Sequence, residues 1–280
     1  MAVIAWVADQ FLSEHFGGAQ QTNDVMIKAG RAKGHKIIEV RPDDFDTEKL
    51  LKVDLVITNN ITKFSQNDIQ WICDNVSFVR YEHDYESVSN HKNPFLNAKK
   101  SIFLSPLHYQ EIKFECPNVI FIPSPVIDFG ALKADRSKNS VIWTGFFSKP
   151  KGLERVLQYA QEHADLTFDF YGNHDHNIIL AINRIKNCAY RGQLNTVEEK
   201  IKAYSSHEYF IHLPNWREPF GRSVMEAYLC GCSLIVEKDR IGALSYNWDY
   251  QNYAMIKKET ENAPNRFWET IDGVLNELNF

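Results

Sequence analysis

Three observations predict an α/β protein made of two consecutive parallel-sheet halves. Short apolar runs alternate with amphipathic stretches from one end of the chain to the other, the pattern of strands joined by crossover helices. The alternation breaks at the polar stretch Ala134-Asp-Arg-Ser-Lys-Asn139, which reads as a linker, and then restarts. The chain has 280 residues, 44% hydrophobic and 24% charged, enough to bury the core of one large or two modest domains.

Taken in order, residues 2–8 read as the first strand and residues 18–33 as a helix stopped by Gly34. Runs at 36–40, 54–58, 77–81, 101–104 and 118–122 read as further strands, with helices at 65–75 and 106–113. Such runs are ambiguous one by one, because a short buried strand and a buried helical turn look alike; the alternation carries the assignment. After the linker, strands are expected at 141–144, 166–171, 189–191, 208–213 and 233–237. Helices are expected at 152–163, 176–186, 197–204 and 220–229, and an amphipathic helix at 263–278 closes the chain. The expected division is a first half over 1–135, a second over 136–262 and a closing helix over 263–280. Two such halves imply a cleft. Ligands of open α/β sheets sit outside the carboxyl ends of the strands, so the loops there are the place to search.

Composition narrows the function classes. A net charge of −5 argues against a broad nucleic-acid-binding surface, and no nucleic acid is expected as a partner. The five cysteines (Cys73, Cys116, Cys188, Cys230, Cys232) have no zinc-site spacing and read as free thiols in a reducing, cytoplasmic setting. Met1-Ala-Val-Ile-Ala-Trp-Val-Ala8 lacks a basic start and meets Asp9 too early for a secretory signal. No apolar run approaches the roughly 18 residues needed to span a bilayer, which leaves peripheral membrane contact compatible with the sequence.

Cofactor signals are weak. His174-Asp-His176 and Glu82-His-Asp84 contain metal-ligand residue types, but alternate residues in a loop after a strand are more often solvated. Asp44-Phe-Asp46 lies in a charged loop, and no metal is expected. Gly17-Gly18-Ala19 follows the first strand without the spacing of a dinucleotide loop, and there is no Walker loop. His207 and His212 read as structural, while Trp216, beside Glu218, is a candidate to stack on a ligand.

The most informative segment runs from Leu213 to Cys232, where a strand gives way to a loop and then a helix. Glu218 precedes the expected helix and Glu226 follows eight positions later, about 12 Å of helix axis if helical geometry holds throughout. That separation lets one carboxylate address a sugar and the other a ribose. Phe220, Gly221 and Arg222 offer backbone N–H groups at a helix start, where a pyrophosphate is favoured. Glu226 sits in the apolar stretch Val224-Met-Glu-Ala-Tyr-Leu229, and a buried carboxylate needs a partner.

Glu218-Pro-Phe-Gly…Glu226-Ala…Cys230-Gly resembles the E-x7-E signature of the retaining GT-B glycosyltransferases, the group that includes glycogen synthases and sucrose synthases. Three other stretches are similar in the same order: Phe16-Gly-Gly-Ala-Gln20 with Gly34-His35, Ile122-Pro-Ser-Pro-Val-Ile-Asp128, and Trp143-Thr-Gly-Phe-Phe-Ser-Lys-Pro-Lys-Gly152. The resemblance implies two Rossmann-like domains facing each other across a cleft, with a carboxyl-terminal helix crossing back. It implies a nucleotide diphosphate sugar as donor, a glycan, lipid or small molecule as acceptor, and no metal. It assigns Glu226 to the ribose hydroxyls, Glu218 to the donor sugar and Lys151 to the diphosphate. Gly17, Gly18, Gly145, Phe220, Gly221 and Arg222 would line the donor, and His83 would stand near the reacting carbon.

One position departs from the family. An arginine usually follows the glycine aligned with Gly145, and here that residue is Phe146. Arg222 is the expected substitute for the lost charge. Two rival readings are a sugar-nucleotide epimerase or hydrolase of the same fold, and a nucleotide-sugar-binding module without turnover.

Overall fold

The structure, a computed structural model, describes residues 1–14, 17–86, 91–126 and 135–278. Phe16, Ile127, Asp128 and Ala134 of the stretches quoted above lie outside the described residues.

Strands covered by helices on both faces must be apolar at nearly every position. Leu-Val-Ile-Thr at 55–58 obeys this rule, and Phe-Val-Arg-Tyr-Glu at 78–82 is equally buried because its two charged residues, Arg80 and Glu82, pair with each other. The first sheet comprises β1 (Val3–Val7), β2 (Lys36–Val40), β3 (Leu55–Thr58), β4 (Phe78–Glu82), β5 (Lys100–Phe103) and β6 (Val119–Phe121), in the order β2-β1-β3-β4-β5-β6. The second comprises β7 (Ser137–Thr144), β8 (Thr167–Tyr171), β9 (Cys188–Gly192), β10 (His207–His212) and β11 (Ser233–Val236), in the order β11-β10-β7-β8-β9. Every pairing is parallel. Each order reverses once, between β1 and β3 in the first sheet and between β7 and β10 in the second. At such a switch point the following loops part in opposite directions and leave room for a ligand.

The chain divides into two units. The first is Met1–Pro125 with Lys258–Phe280, and the second is Val126–Lys257. The expected boundaries at 135 and 262 compare with changes at 125 and 257.

The closing helix, Ala263–Leu278, belongs to the first unit because of one buried stripe: Phe267, Trp268, Ile271, Val274 and Leu275. The Trp268 indole N–H donates to the carbonyl of Met26 at 2.7 Å, on the helix Gly18–Ala32. Its ring lies against Gly30, where an added Cβ would stand only 2.0 Å from it, so the close approach requires glycine. Phe267 packs on Trp6 and Tyr81 of the sheet, at 5.7 and 4.9 Å between ring centres.

The structure corrects two sequence expectations here and adds one helix. Residues 137–139, expected within the linker, form the exposed start of β7, and Ser137 pairs with His207. The register shifts between His207 and Tyr209, and Asn139 takes a positive φ of 57°. A polar, bulged strand end carries no apolar alternation, which is why it reads as linker. Asp46, expected in a loop, caps a short helix, Thr47–Leu50, by accepting from the N–H groups of Glu48 and Lys49. The helix Tyr253–Glu261 has Ile256 and Thr260 as its buried positions, too weak a stripe to be seen in sequence.

Candidate active site

The site of the second unit is assembled at its switch point, from the loops after β7 and β10. After β7, the backbone passes Gly145, whose N–H donates to Tyr171 at 3.1 Å, and reaches a short turn, Lys149–Lys151. Gly152 then takes a left-handed φ of 65°, and a Cβ there would lie 2.0 Å from the carbonyl oxygen of Leu213. Glycine thus lets the two loops touch. Asn215 binds them, its N–H donating to Pro150 at 2.9 Å and its side-chain amide to Lys149 at 2.7 Å. Arg155 adds donors to the carbonyls of Leu213 and Pro214 at 3.3 and 3.0 Å.

This stitching brings Lys151 to Glu218. The Lys151 ammonium lies 2.6 Å from Glu218 Oε1, and the same oxygen accepts from His212 Nε2 at 3.1 Å and Trp216 Nε1 at 3.3 Å. Glu218 is 5% exposed. Burial by itself pushes its carboxyl up, but the attraction of Lys151 and His212 and their hydrogen bonds outweigh burial and hold it well below the usual carboxylate range. The backbone of Glu218 is fixed on both sides, its N–H donating to Arg240 at 2.7 Å and its carbonyl accepting from Gly242 at 3.0 Å. These bonds form a parallel bridge with Ile241.

Glu218 is therefore extended rather than helical. The helix spans Arg222–Leu229 with Gly221 as its cap at φ 83°, so it opens two residues later than expected. The 12 Å axial spacing inferred from the sequence does not apply, because the segment from Glu218 to Gly221 is not wound. Phe220 is buried, and its carbonyl accepts from the Ala243 N–H at 2.8 Å.

Glu226 forms a second ion-paired group. Arg222 Nη2 lies 3.3 Å from its Oε1, and Lys200 Nζ lies 3.7 Å from its Oε2. The partner that a buried carboxylate requires is thus Arg222 from its own helix, with Lys200 from the helix Val197–Ser206. The hydroxyl of Tyr204, in that same helix, meets Thr144 at the end of β7 at 2.7 Å. Burial and then the Glu226 charge push the Tyr204 phenol well up. Phe146 is 62% exposed at the mouth of the β7 loop.

The remaining expected residues belong to the first unit. Gly17 caps the helix that Gly18 opens. Thr22 donates to the Gly18 carbonyl at 3.0 Å and meets Ser124 at 2.7 Å. Asn23 donates to Asn59, which donates to the Tyr81 carbonyl, at 3.2 and 3.0 Å, so a buried polar chain backs the carboxyl ends of β3 and β4. His83 follows β4, is 6% exposed and meets the Tyr81 ring edge-on at 4.3 Å. Its backbone N–H donates to Glu82 Oε1 at 3.1 Å, and the other carboxylate oxygen pairs with Arg80, both side chains being fully buried. Burial pushes the Glu82 carboxyl up, and Arg80 opposes that.

The sequence does not place Lys200, Thr22 or His212 beside the candidate residues. It reads His212 as structural, and the strand placement carries no sign of the carboxylate six residues later. Among the described residues no group of three or more His, Cys, Asp or Glu side chains is arranged to hold a metal ion. All five cysteines are free thiols. No described helix is long and apolar enough to cross a membrane.

Two parallel sheets, each with one switch point, and paired carboxylates and cations at the second define a fold of the GT-B glycosyltransferase class. A sequence profile described as glycosyl transferases group 1 matches residues 127–277. The chain belongs to that family. Comparison with curated proteins by sequence gave no match. Among solved structures, Anabaena HepE in complex with UDP and glucose is similar at 12% identity, covering 98% of this chain and 100% of its own, with a TM-score of 0.68. AviGT4, a glycosyltransferase involved in avilamycin A biosynthesis, is similar at 11% identity over 99% and 98%, with a TM-score of 0.64. An α-glucosyltransferase in complex with UDP and a mismatched 13-mer DNA is similar at 13% identity over 96% and 92%, with a TM-score of 0.60.

Proposed function

We propose that the protein transfers a hexosyl group, with retention of configuration and without a metal, from a nucleotide diphosphate sugar to a glycan, lipid or small acceptor. The observation that carries this reading is the pair of buried carboxylates, Glu218 and Glu226, each matched to a cation at the second sheet's switch point. Glu226 receives the ribose hydroxyls and Glu218 the hydroxyls of the donor sugar. Lys151 neutralises the diphosphate, and Arg222 supplies the second positive charge in place of the arginine absent at Phe146. UDP heads the choice of nucleotide because the HepE complex and the α-glucosyltransferase complex both contain it. The net charge of −5 favours acceptors other than nucleic acid.

The chemistry is a substitution at the anomeric carbon. The bond from that carbon to the phosphate oxygen breaks, a bond to the acceptor hydroxyl forms on the same face, and the departing phosphate takes the acceptor's proton. No protein base is needed. Charge develops on the leaving diphosphate, so cations fixed there stabilise the transition state more than the ground state.

The test is turnover of UDP-glucose and related donors with an acceptor panel in the presence of EDTA, the anomeric configuration being read by NMR. Product formation with the donor's configuration, and a fall of about 10²-fold or more in Lys151→Met, is expected. Donor consumption without any acceptor would favour the epimerase or hydrolase reading, and an inverted product would overturn retention.

A further inference from the structure

Among the described residues, three side chains meet Glu218 on one oxygen, and they differ in kind. Lys151 has a side chain that is 30% exposed, and it is the group assigned above to the diphosphate. His212 is 1% exposed in its side chain and ends β10, where pairing with Val236 of β11 fixes its backbone. Trp216 reaches Oε1 at 3.3 Å from the loop that follows β10.

The hydrogen-bonding pattern of His212 is set by its surroundings. An ionised carboxylate only accepts, so Nε2 carries the proton and donates to Oε1 at 3.1 Å. Nδ1 is buried and has no hydrogen-bond partner among the described residues, so Nε2–H is the atom through which this imidazole is held. Unlike Lys151, this donor is almost fully buried and stands on a paired strand.

We propose that His212 is a positioning residue for the sugar-contacting carboxylate: its Nε2–H fixes Oε1 of Glu218 and directs Oε2 to the hydroxyls of the donor sugar. This rests on the reading of Glu218 as the sugar contact. It gives the histidine a role in selecting a nucleotide that carries a sugar over the nucleotide alone.

The test compares dissociation constants for UDP-glucose and UDP in the wild type, His212→Leu and His212→Gln, together with titration of the Glu218 carboxyl by carbon NMR. Leucine removes the donor at similar volume, and glutamine returns an N–H. In His212→Leu, UDP-glucose binding should weaken about tenfold, or about 1.4 kcal/mol, while UDP changes by less than about twofold. His212→Gln should recover most of the loss. The Glu218 titration should move upward in the leucine variant and return with glutamine.

Equal weakening for both ligands means a structural role and overturns the proposal, as does an unchanged ratio. Should the leucine variant not fold, His212→Asn, polar but too short to reach Oε1, enters the same comparison. If the wild type binds neither ligand, the glycosyl-transfer reading fails by itself. The carboxyl titration then decides the His212–Glu218 link separately, and an unmoved Glu218 overturns it.

Discussion

At Glu218 burial and attraction pull in opposite directions, and the attraction of Lys151 and His212 prevails. The sign of its pH dependence follows. The carboxyl is held below its unfolded value, so its stabilisation is fully present above about pH 5. As pH falls below about 4.3 the unfolded chain takes up the proton first, and that stability is lost progressively until the folded carboxyl also protonates. Glu218→Gln should therefore be less stable than the wild type at pH 7 and lose less stability between pH 5 and pH 3, measured by urea midpoints. Parallel acid limbs would contradict the pairing. Glu218, Glu226 and Lys151 were legible in the sequence because their spacing within two short segments is a motif. Their partners were not. His212 ends β10 while Glu218 is held by its bridge to Ile241, and Lys200 meets Glu226 from a separate helix. Contacts set by sheet register and loop packing leave no spacing to read.

Among the elements, the strands buried on both faces and the helices with a clear apolar stripe were the readable ones, from β1 to the closing helix. Elements failed where the pattern is physically absent: the polar, bulged start of β7, and the helix Tyr253–Glu261 with its two buried side chains. Helix ends failed where a left-handed glycine intervenes, as at Gly221. The docking of the closing helix gives its own prediction. Gly30→Val should destabilise the protein by about 1–3 kcal/mol, because the new side chain overlaps the Trp268 ring. Gly273→Ala in the closing helix meets no atom within 4 Å and should stabilise by up to about 1 kcal/mol through helix propensity. Denaturant midpoints check both, and a tolerated Gly30→Val would contradict the packing of Trp268 on this helix.

For the whole molecule, the architecture is two parallel sheets, each with one reversal of strand order, and a chain that returns to its first unit at the end. The family match covers 127–277, which includes both carboxylates, Lys151 and all but the last residue of the closing helix. The central claim is that a nucleotide-sugar binds at the second unit's switch point through Glu218 and Glu226. Thermal unfolding against UDP, GDP, ADP, CMP and their sugar conjugates, without metal, tests it most directly, with Glu226→Gln as control. A ligand at about 100 times its dissociation constant should stabilise by roughly 2.7 kcal/mol, and each kcal/mol should raise the midpoint by about 2–4 °C. The expected result is one nucleotide series that shifts the wild type by several degrees and leaves the Glu226→Gln midpoint where it is without ligand. Equal shifts in both proteins, or none in a folded wild type, would contradict a donor site built on these carboxylates.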